Sequence, residues 1–355
     1  MPTLCVGTFC PPLRGAKTTV AASSASDAGL AVPDKSICSD LFTDSLTVLN
    51  FMKKLLYPFI VLLIGQIAHA HPGSGIVVNE KGEVYFADNG GDKGALWMID
   101  PVGKLTRLPH SGGHWLALDD KGSYGADDLK RWWAQRLTMN FGRVPLPGSK
   151  TALLQADGAP FVIARDGNLY WGNLDLKQLT PAGQVTTFAD EHKDSIDKLG
   201  GVKGFAAGPD GSLYASCPSA ILRFAQNGKF EIVFHPITIG DADWDWPAGV
   251  PDGYKPYLRG LAVDSGGTMY AAATGARMVV RVTPQENKWH VDVVMKAERP
   301  WSPTGVAVHG DDVYVLEYTN PNSEVHDEWL PRVRKLGRDG KVITLAEISK
   351  KDRNQ

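Results

Sequence analysis

Cysteine is scarce. The 355 residues hold four, and three of them (Cys5, Cys10, Cys38) fall in the first 38. Cys217 alone serves the rest of the chain, which excludes an internal disulfide framework there. It stands one residue before Pro218, at an expected strand end, and reads as a buried, inert thiol. Charge of one sign is lacking too. Thirty-seven Lys and Arg against 39 Asp and Glu give a net charge of −2, with no basic run. That excludes a surface built to neutralise nucleic-acid phosphates. No G-x-S-x-G, H-E-x-x-H or Walker loop nominates a standard nucleophile, zincin or nucleotide site. With 43% hydrophobic and 9% aromatic residues, the chain is not disordered as a whole. Its 38 Gly and 23 Pro are scattered without a period, as turn residues would be.

One apolar run is present. Met52-Lys53-Lys54 precedes LLYPFIVLLIG, which ends in Gln66-Ile67-Ala68-His69-Ala70. A positive start, a short apolar centre and an A-x-A end describe a signal peptide. The run is shorter than the roughly 20 residues that cross a bilayer as a helix. The expectations are a leader over 52–70, a mature chain that starts at His71 with no membrane span, and an extracytoplasmic location, periplasmic or secreted. Residues 1–51, rich in Ser, Ala, Thr and Pro, are read as an upstream start or a disordered extension.

Beyond the leader the chain repeats. A tight turn followed by a tyrosine recurs six times: NEKGEVY ends at Tyr85, DDKGSY at Tyr124, ARDGNLY at Tyr170, GPDGSLY at Tyr214, DSGGTMY at Tyr270 and HGDDVY at Tyr314. The tyrosines lie 39, 46, 44, 56 and 44 residues apart. A short apolar run precedes each turn (GIVV, WLAL, FVIA, GFAA, GLAV, GVAV), and each tyrosine begins or continues a second run. A second turn then leads into an alternating strand, as in DPVGKL, PLPGSK, TPAGQV, AQNGKF, TPQENK and GRDGKV. Asn-Gly and Asp-Gly between apolar runs signal hairpins, because type I′ turns need φ > 0 at both central residues. The predicted fold is all-β: a six-bladed β-propeller over 71–348, four antiparallel strands per blade, almost no helix, then a polar tail at 349–355. The first and last units each own four strands, so the ring is expected to close without strand exchange.

The unit pattern G-[LVF]-A-V-D-x-x-G-x-x-Y, with a later N-G-K or D-G-K turn, resembles the NHL-repeat propellers. It also resembles the wider superfamily of gluconolactonases, senescence-marker-protein-type lactonases and strictosidine synthase-like proteins. The resemblance covers essentially all of 71–348. It implies a fold and leaves the activity open, because one fold hosts many functions. The calcium lactonases of that superfamily place Glu, Asn and Asp before inner strands, as oxygen ligands for a divalent cation. Here the matching segments read HPGSGIVV, VKGFAAG and YLRGLAVD, with no Glu and with Lys203 and Arg259 for Asn and Asp. A calcium site of that type is therefore not expected. The peptidyl-hydroxyglycine lyases, also NHL propellers, are similar in an R-G-L-x-V-D arginine, like Arg259, and an H-x-L-A-L histidine, like His114. Their zinc needs three inner histidines, for which His114 and His71 are the metal candidates here. A copper brace at an N-terminal His71 with His114 is the other metal reading.

In a propeller the residues just before each inner strand converge at the channel mouth. The repeat alignment places Ser74, His114, Ala159, Lys203, Arg259 and Thr304 there. A second ring, three residues after each tyrosine, is Asp88, Asp127, Asn173, Cys217, Ala273 and Glu317. Asp88 and Asp127 are read as caps on backbone groups; Glu317, with Tyr318 beside it, is kept as a candidate. His114, Lys203 and Arg259 would make a basic mouth. A guanidinium can hold a carboxylate or phosphate bidentately, and a channel of one charge sign concentrates the other. The catalytic candidates are His114, Arg259, Glu317 and Tyr318. The alternative is that Lys203 and Arg259 pair with Glu317, Asp127 or another acid and knit blades together.

Two inserts interrupt the period. Asp127–Arg143 contains Lys130-Arg131-Trp132-Trp133, and His235–Tyr257 contains Trp244 and Trp246. These last two are substrate-binding candidates with Lys203 and Arg259, as an aromatic platform for a flat ligand; the alternative is that they cover a blade edge. The functional expectation is an exported, monomeric propeller that takes a small anionic ligand at the channel mouth. It would be a hydrolase of lactonase or esterase type, or a lyase. The alternative is a non-catalytic scaffold that binds protein or carbohydrate.

Overall fold

The structure is a computed structural model. It describes residues 72–91, 94–125, 141–226, 229–235, 239, 252–286, 288–323 and 325–353. Residues 1–70, His71, Asp127, Trp132, Trp133, Trp244 and Trp246 lie outside the described residues, and with them the expectations placed there.

Turn chemistry sets the strand boundaries. Gly82, Gly122, Gly167, Gly211, Gly267 and Gly310, one in each first turn, all take positive φ between 59° and 86°. A residue with a Cβ is strained in that region. Asn79 and Asp264 start two of these turns by accepting backbone N–H groups two and four residues on, at 2.9–3.0 Å.

Blade 1 is β1 (Ile76–Val78), β2 (Val84–Asp88), β3 (Ala95–Ile99) and β4 (Leu105–Leu108), paired in that order. Blade 2 holds β5 (Trp115–Asp119), β6 (Phe141–Pro145) and β7 (Ala152–Ala156). Blade 3 comprises β8 (Phe161–Ile163), β9 (Leu169–Trp171), β10 (Lys177–Leu179) and β11 (Val185–Thr187). Helix α1 (Lys193–Lys198), which buries Ile196, leads to blade 4: β12 (Gly204–Ala207), β13 (Leu213–Cys217), β14 (Ala220–Phe224) and β15 (Phe230–Phe234). Blade 5 runs through β16 (Leu258–Val263), β17 (Met269–Ala273), β18 (Met278–Gln285) and β19 (Lys288–Lys296). Blade 6 is β20 (Trp301–His309), β21 (Asp312–Thr319), β22 (Pro331–Leu336) and β23 (Val342–Glu347). All pairs are antiparallel, and five sheets have four strands in chain order. The protein is a six-bladed β-propeller, as predicted.

Blade 2 differs from the expectation. Its described strands number three, in the order β5-β7-β6. Tyr124 does not start its second strand. Its hydroxyl donates to the Gly167 carbonyl of blade 3 at 2.6 Å, while Asp119 holds the Tyr124 N–H at 2.9 Å. The place beside β5 is taken by β7, ALLQA, four of whose five residues are buried. The insert separates the turn from the strand that satisfies β5, so sequence adjacency misleads here.

The apolar core lies between blades rather than within them. Six buried clusters correspond to the six blade interfaces, including blade 6 against blade 1, where Phe86 and Trp97 meet Tyr314 and Leu316. No blade can bury its faces alone, so the ring must close. Near the axis the backbones touch. A Cβ on Gly260 would lie 2.6 Å from the Gly305 Cα, one on Gly305 2.4 Å from the Ser74 carbonyl, and one on Gly204 2.4 Å from the Arg259 carbonyl. The glycine that recurs before the inner-strand apolar residues is there because neighbouring inner strands leave no room for a side chain.

Blades 1 and 6 are each built from consecutive strands, so no strand is exchanged at closure. The seam between them is tied by the C-terminus. Helix α2 (Lys350–Arg353) brings Arg353 to Asp88: Nε donates to Oδ2 at 2.8 Å and Nη2 to Oδ1 at 2.6 Å. Nη2 also donates to the Trp329 carbonyl, on the link between β21 and β22, and Arg107 Nη1 donates to the Arg353 carbonyl at 2.7 Å. Asp88 is fully buried and also accepts the Gly90 N–H at 3.0 Å, the capping role read from the sequence.

Candidate functional site

The six inner strands β1, β5, β8, β12, β16 and β20 line an axial cavity of about 350 Å³. Ile76, Leu116, Phe161, Phe205, Leu261 and Val306 are among the lining residues, and polar surface makes up about half of the wall. The polar chemistry stands where the inner strands begin. Two of those beginnings are β-bulges: pairing with the second strand shifts between Leu258 and Leu261 in β16 and between Pro303 and Gly305 in β20. A bulge re-aims side chains at a rim, and these two carry Arg259 and Thr304.

Both side chains reach one segment, Pro72-Gly73-Ser74. Arg259 Nη2 donates to the Pro72 carbonyl at 2.5 Å, Thr304 Oγ1 donates to the Gly73 carbonyl at 2.7 Å, and the Ser74 N–H donates to the His114 carbonyl at 2.8 Å. Three residues span at most about 11 Å. The predicted ring positions in blades 1, 2, 5 and 6 are therefore gathered at one end of the channel. Arg259 is 4% exposed. Burial pulls its guanidinium down to about 10, which leaves it cationic at neutral pH. Its Nη2 is spent on main chain, so it fixes the segment that follows His71.

Lys203, the blade 4 member, stands just before β12. Its own N–H donates to the Ser216 carbonyl at 2.7 Å, and Ser216 Oγ donates to the Arg259 carbonyl at 2.5 Å. Burial, then the Arg259 charge, holds the Lys203 ammonium below the ordinary lysine range; among the described residues no carboxylate is one of the groups that act on it. The Cys217 thiol is its other neighbour; that thiol is fully buried and pushed up to about 12, in keeping with an inert role.

His114 has a partner that sequence reasoning missed. Its Nδ1 lies 2.9 Å from Asp157 Oδ1, and its N–H donates to the same oxygen at 3.1 Å. His114 holds the Asp157 carboxyl below the usual carboxylate range. An ionised Asp157 makes Nδ1 the proton-bearing nitrogen of the imidazole. Both side chains are partly exposed. Asp157 escaped notice because Asp157-Gly158 reads as an ordinary turn before β8.

The other candidates lie elsewhere in the bonding scheme. Glu317 is fully buried; its Oε2 accepts from Arg332 Nε at 2.5 Å and its Oε1 from Arg334 Nη2 at 2.7 Å. It joins β21 to β22 rather than meeting Arg259. Tyr318 is fully buried as well; its hydroxyl donates to the Ala87 carbonyl at 2.6 Å and accepts the Asn89 N–H at 3.3 Å. Burial pushes its phenol pKa up, so it stays a donor that joins blade 6 to blade 1. Ala159 offers no functional group. Among the described residues no three His, Cys, Asp or Glu side chains cluster as a metal site requires.

The architecture defines a six-bladed propeller with cations at one channel end. No protein-family model matches the chain, and no curated protein matches it. Solved structures do. Virginiamycin B lyase from Staphylococcus aureus aligns with a TM-score of 0.41 at 14% identity, over 78% of this chain and 85% of that one. The PQQ-bound aldose sugar dehydrogenase from Streptomyces coelicolor gives a TM-score of 0.43 at 12% identity, over 75% and 95%. Regucalcin, a calcium-binding protein from Agrobacterium tumefaciens, gives 0.41 at 13%, over 71% and 84%.

Proposed function

We propose that this propeller binds a small organic anion at the Lys203 end of its channel. The observation that carries the reading is the Lys203 ammonium, half-buried and set beside another cation. A buried lysine beside an arginine costs stability, and an anionic ligand removes that cost. The His114–Asp157 pair supplies an oriented imidazole at the same end, which fits acid–base work in a hydrolase or lyase reaction. Arg259 serves as a positioning residue, because its contact is to main chain. The reading includes an extracytoplasmic location, on the strength of the leader. N-terminal sequencing of exported material is expected to start within a few residues of His71; retention of the Cys5–Cys38 segment would contradict it.

Lys203→Met separates this reading from a purely structural lysine. A lysine whose folded pKa is lowered penalises folding at neutral pH, and the penalty fades as pH rises from its folded pKa to the ordinary lysine value. Lys203→Met is therefore expected to be at least as stable as wild type at pH 7, with its advantage shrinking in alkali. Citrate, acetate and inorganic phosphate are suitable probes, since a bound anion raises the melting temperature. At least one should protect wild type, and Lys203→Met should weaken that protection about tenfold in affinity. Loss of stability in the variant, or no protection of wild type by any carboxylate or phosphate, would overturn the reading.

A further inference from the structure

A second cavity, also about 350 Å³, opens in the seam between blades 1 and 2, away from the inner-strand beginnings. Tyr85, Met98 and Leu146 form an apolar floor continuous with the core of that interface. Glu80, Glu83 and Asp120 line it too, against Lys81 and His110. Glu83 is fixed in place: its Oε2 accepts from Asn79 Nδ2 at 2.6 Å and from the Tyr85 hydroxyl at 2.8 Å. Asp120, an exposed residue whose carboxyl group is partly desolvated by the cavity wall, is disfavoured as a carboxylate first by that desolvation and then by the charges of Glu80 and Asp119. Among the described residues no lysine or arginine forms an ion pair with Glu80, Glu83 or Asp120.

The seam between blades 5 and 6 provides an internal comparison. It too holds a cavity of about 350 Å³ beside a second-strand tyrosine, Tyr270. Two of its three lining acids are ion-paired within the protein, Asp311 with Arg338 at 3.2 Å and Asp312 with Lys335 at 3.0 Å, while the third, Asp264, accepts the N–H groups of its own turn. Of these two seams, the one between blades 1 and 2 sets three carboxylates beside an apolar floor with no lysine or arginine ion-paired to any of them among the described residues. A cavity with an apolar lining and a few fixed polar groups is the ordinary form of a small-molecule site.

We propose that the blade 1–2 seam binds an organic cation with an apolar body, such as an arylalkylamine. The ammonium meets Glu83 and Asp120, and the ring or chain lies over Tyr85 and Met98. A bare metal ion would leave the floor uncovered, and a neutral aromatic would leave the acids unpaired.

The test uses the full chain and titrates 2-phenylethylamine against its neutral counterpart 2-phenylethanol, followed by calorimetry and by the Met98 methyl resonance. The amine is expected to bind at least about tenfold more tightly than the alcohol and to shift Met98. Glu83→Gln keeps an acceptor for Tyr85, and Asp120→Asn changes an exposed residue. Each should reduce the preference for the amine while leaving the melting temperature and the alcohol titration unchanged. Equal binding of amine and alcohol, an unshifted Met98, a preference that survives both variants, or calcium chloride competing as well as the amine would each overturn the proposal.

Discussion

Replacing Arg353 by alanine is expected to destabilise the protein by about 3–5 kcal/mol, although the residue is third from the end of the chain. The reason is the state in which it leaves Asp88. That carboxylate is fully buried, with two guanidinium contacts and one backbone N–H. Removing the guanidinium strands a charge that has no route to water. The Trp329 carbonyl loses its donor in the same step. The damage falls on the interface between blades 1 and 6, the one interface that chain connectivity does not hold. Deletion of residues 350–355 should act like Arg353→Ala. The double variant Asp88→Ala/Arg353→Ala should recover part of the loss, because it strands no charge. Urea midpoints measure all three. A single variant within about 0.5 kcal/mol of wild type would show that the ring is closed by its apolar interface alone.

Gly305→Ala is expected to cost about 2–3 kcal/mol through overpacking. Its Cβ would stand 2.4 Å from the Ser74 carbonyl and 3.0 Å from Ile76 Cγ2. The first is main chain, which cannot swing aside as a flexible side chain would. Blade 1 must move away from blade 6, and Ser74 carries with it the segment that Arg259 and Thr304 hold. Loss of stability should therefore come with weakened anion binding. Gly253→Ala is the control, since a Cβ there meets nothing within 4 Å. Equal midpoints for the two variants would show that the inner strands have slack.

The fold was legible where local signals and tertiary need agree. Each first-turn glycine adopts the positive φ that its turn implied, and five of the six tyrosines lie on second strands. Tyr124 escapes because its partner is a carbonyl of the next blade, 43 residues away. At the channel mouth the repeat alignment located Lys203, Arg259, His114 and Thr304, since position in a repeat is position in the ring. It could not tell how each side chain is spent. Arg259 donates to a carbonyl 187 residues away, and Glu317 is claimed by arginines on the next strand. Those contacts follow from strand register and bulges, which no turn motif encodes. Arg353 was hidden most completely: a cation in a short polar tail carries no sign that a buried carboxylate 265 residues away needs it.

The central claim is that Lys203 is an anion-holding group, and the pH dependence of anion affinity tests it most directly. Affinity for whichever of citrate, acetate or phosphate protects the wild-type protein should fall as pH rises through the lowered pKa of Lys203, in a range below the ordinary lysine value. Lys203→Met should show no such fall. A wild-type affinity that stays flat across that range, or a decline that persists in Lys203→Met, would contradict the account.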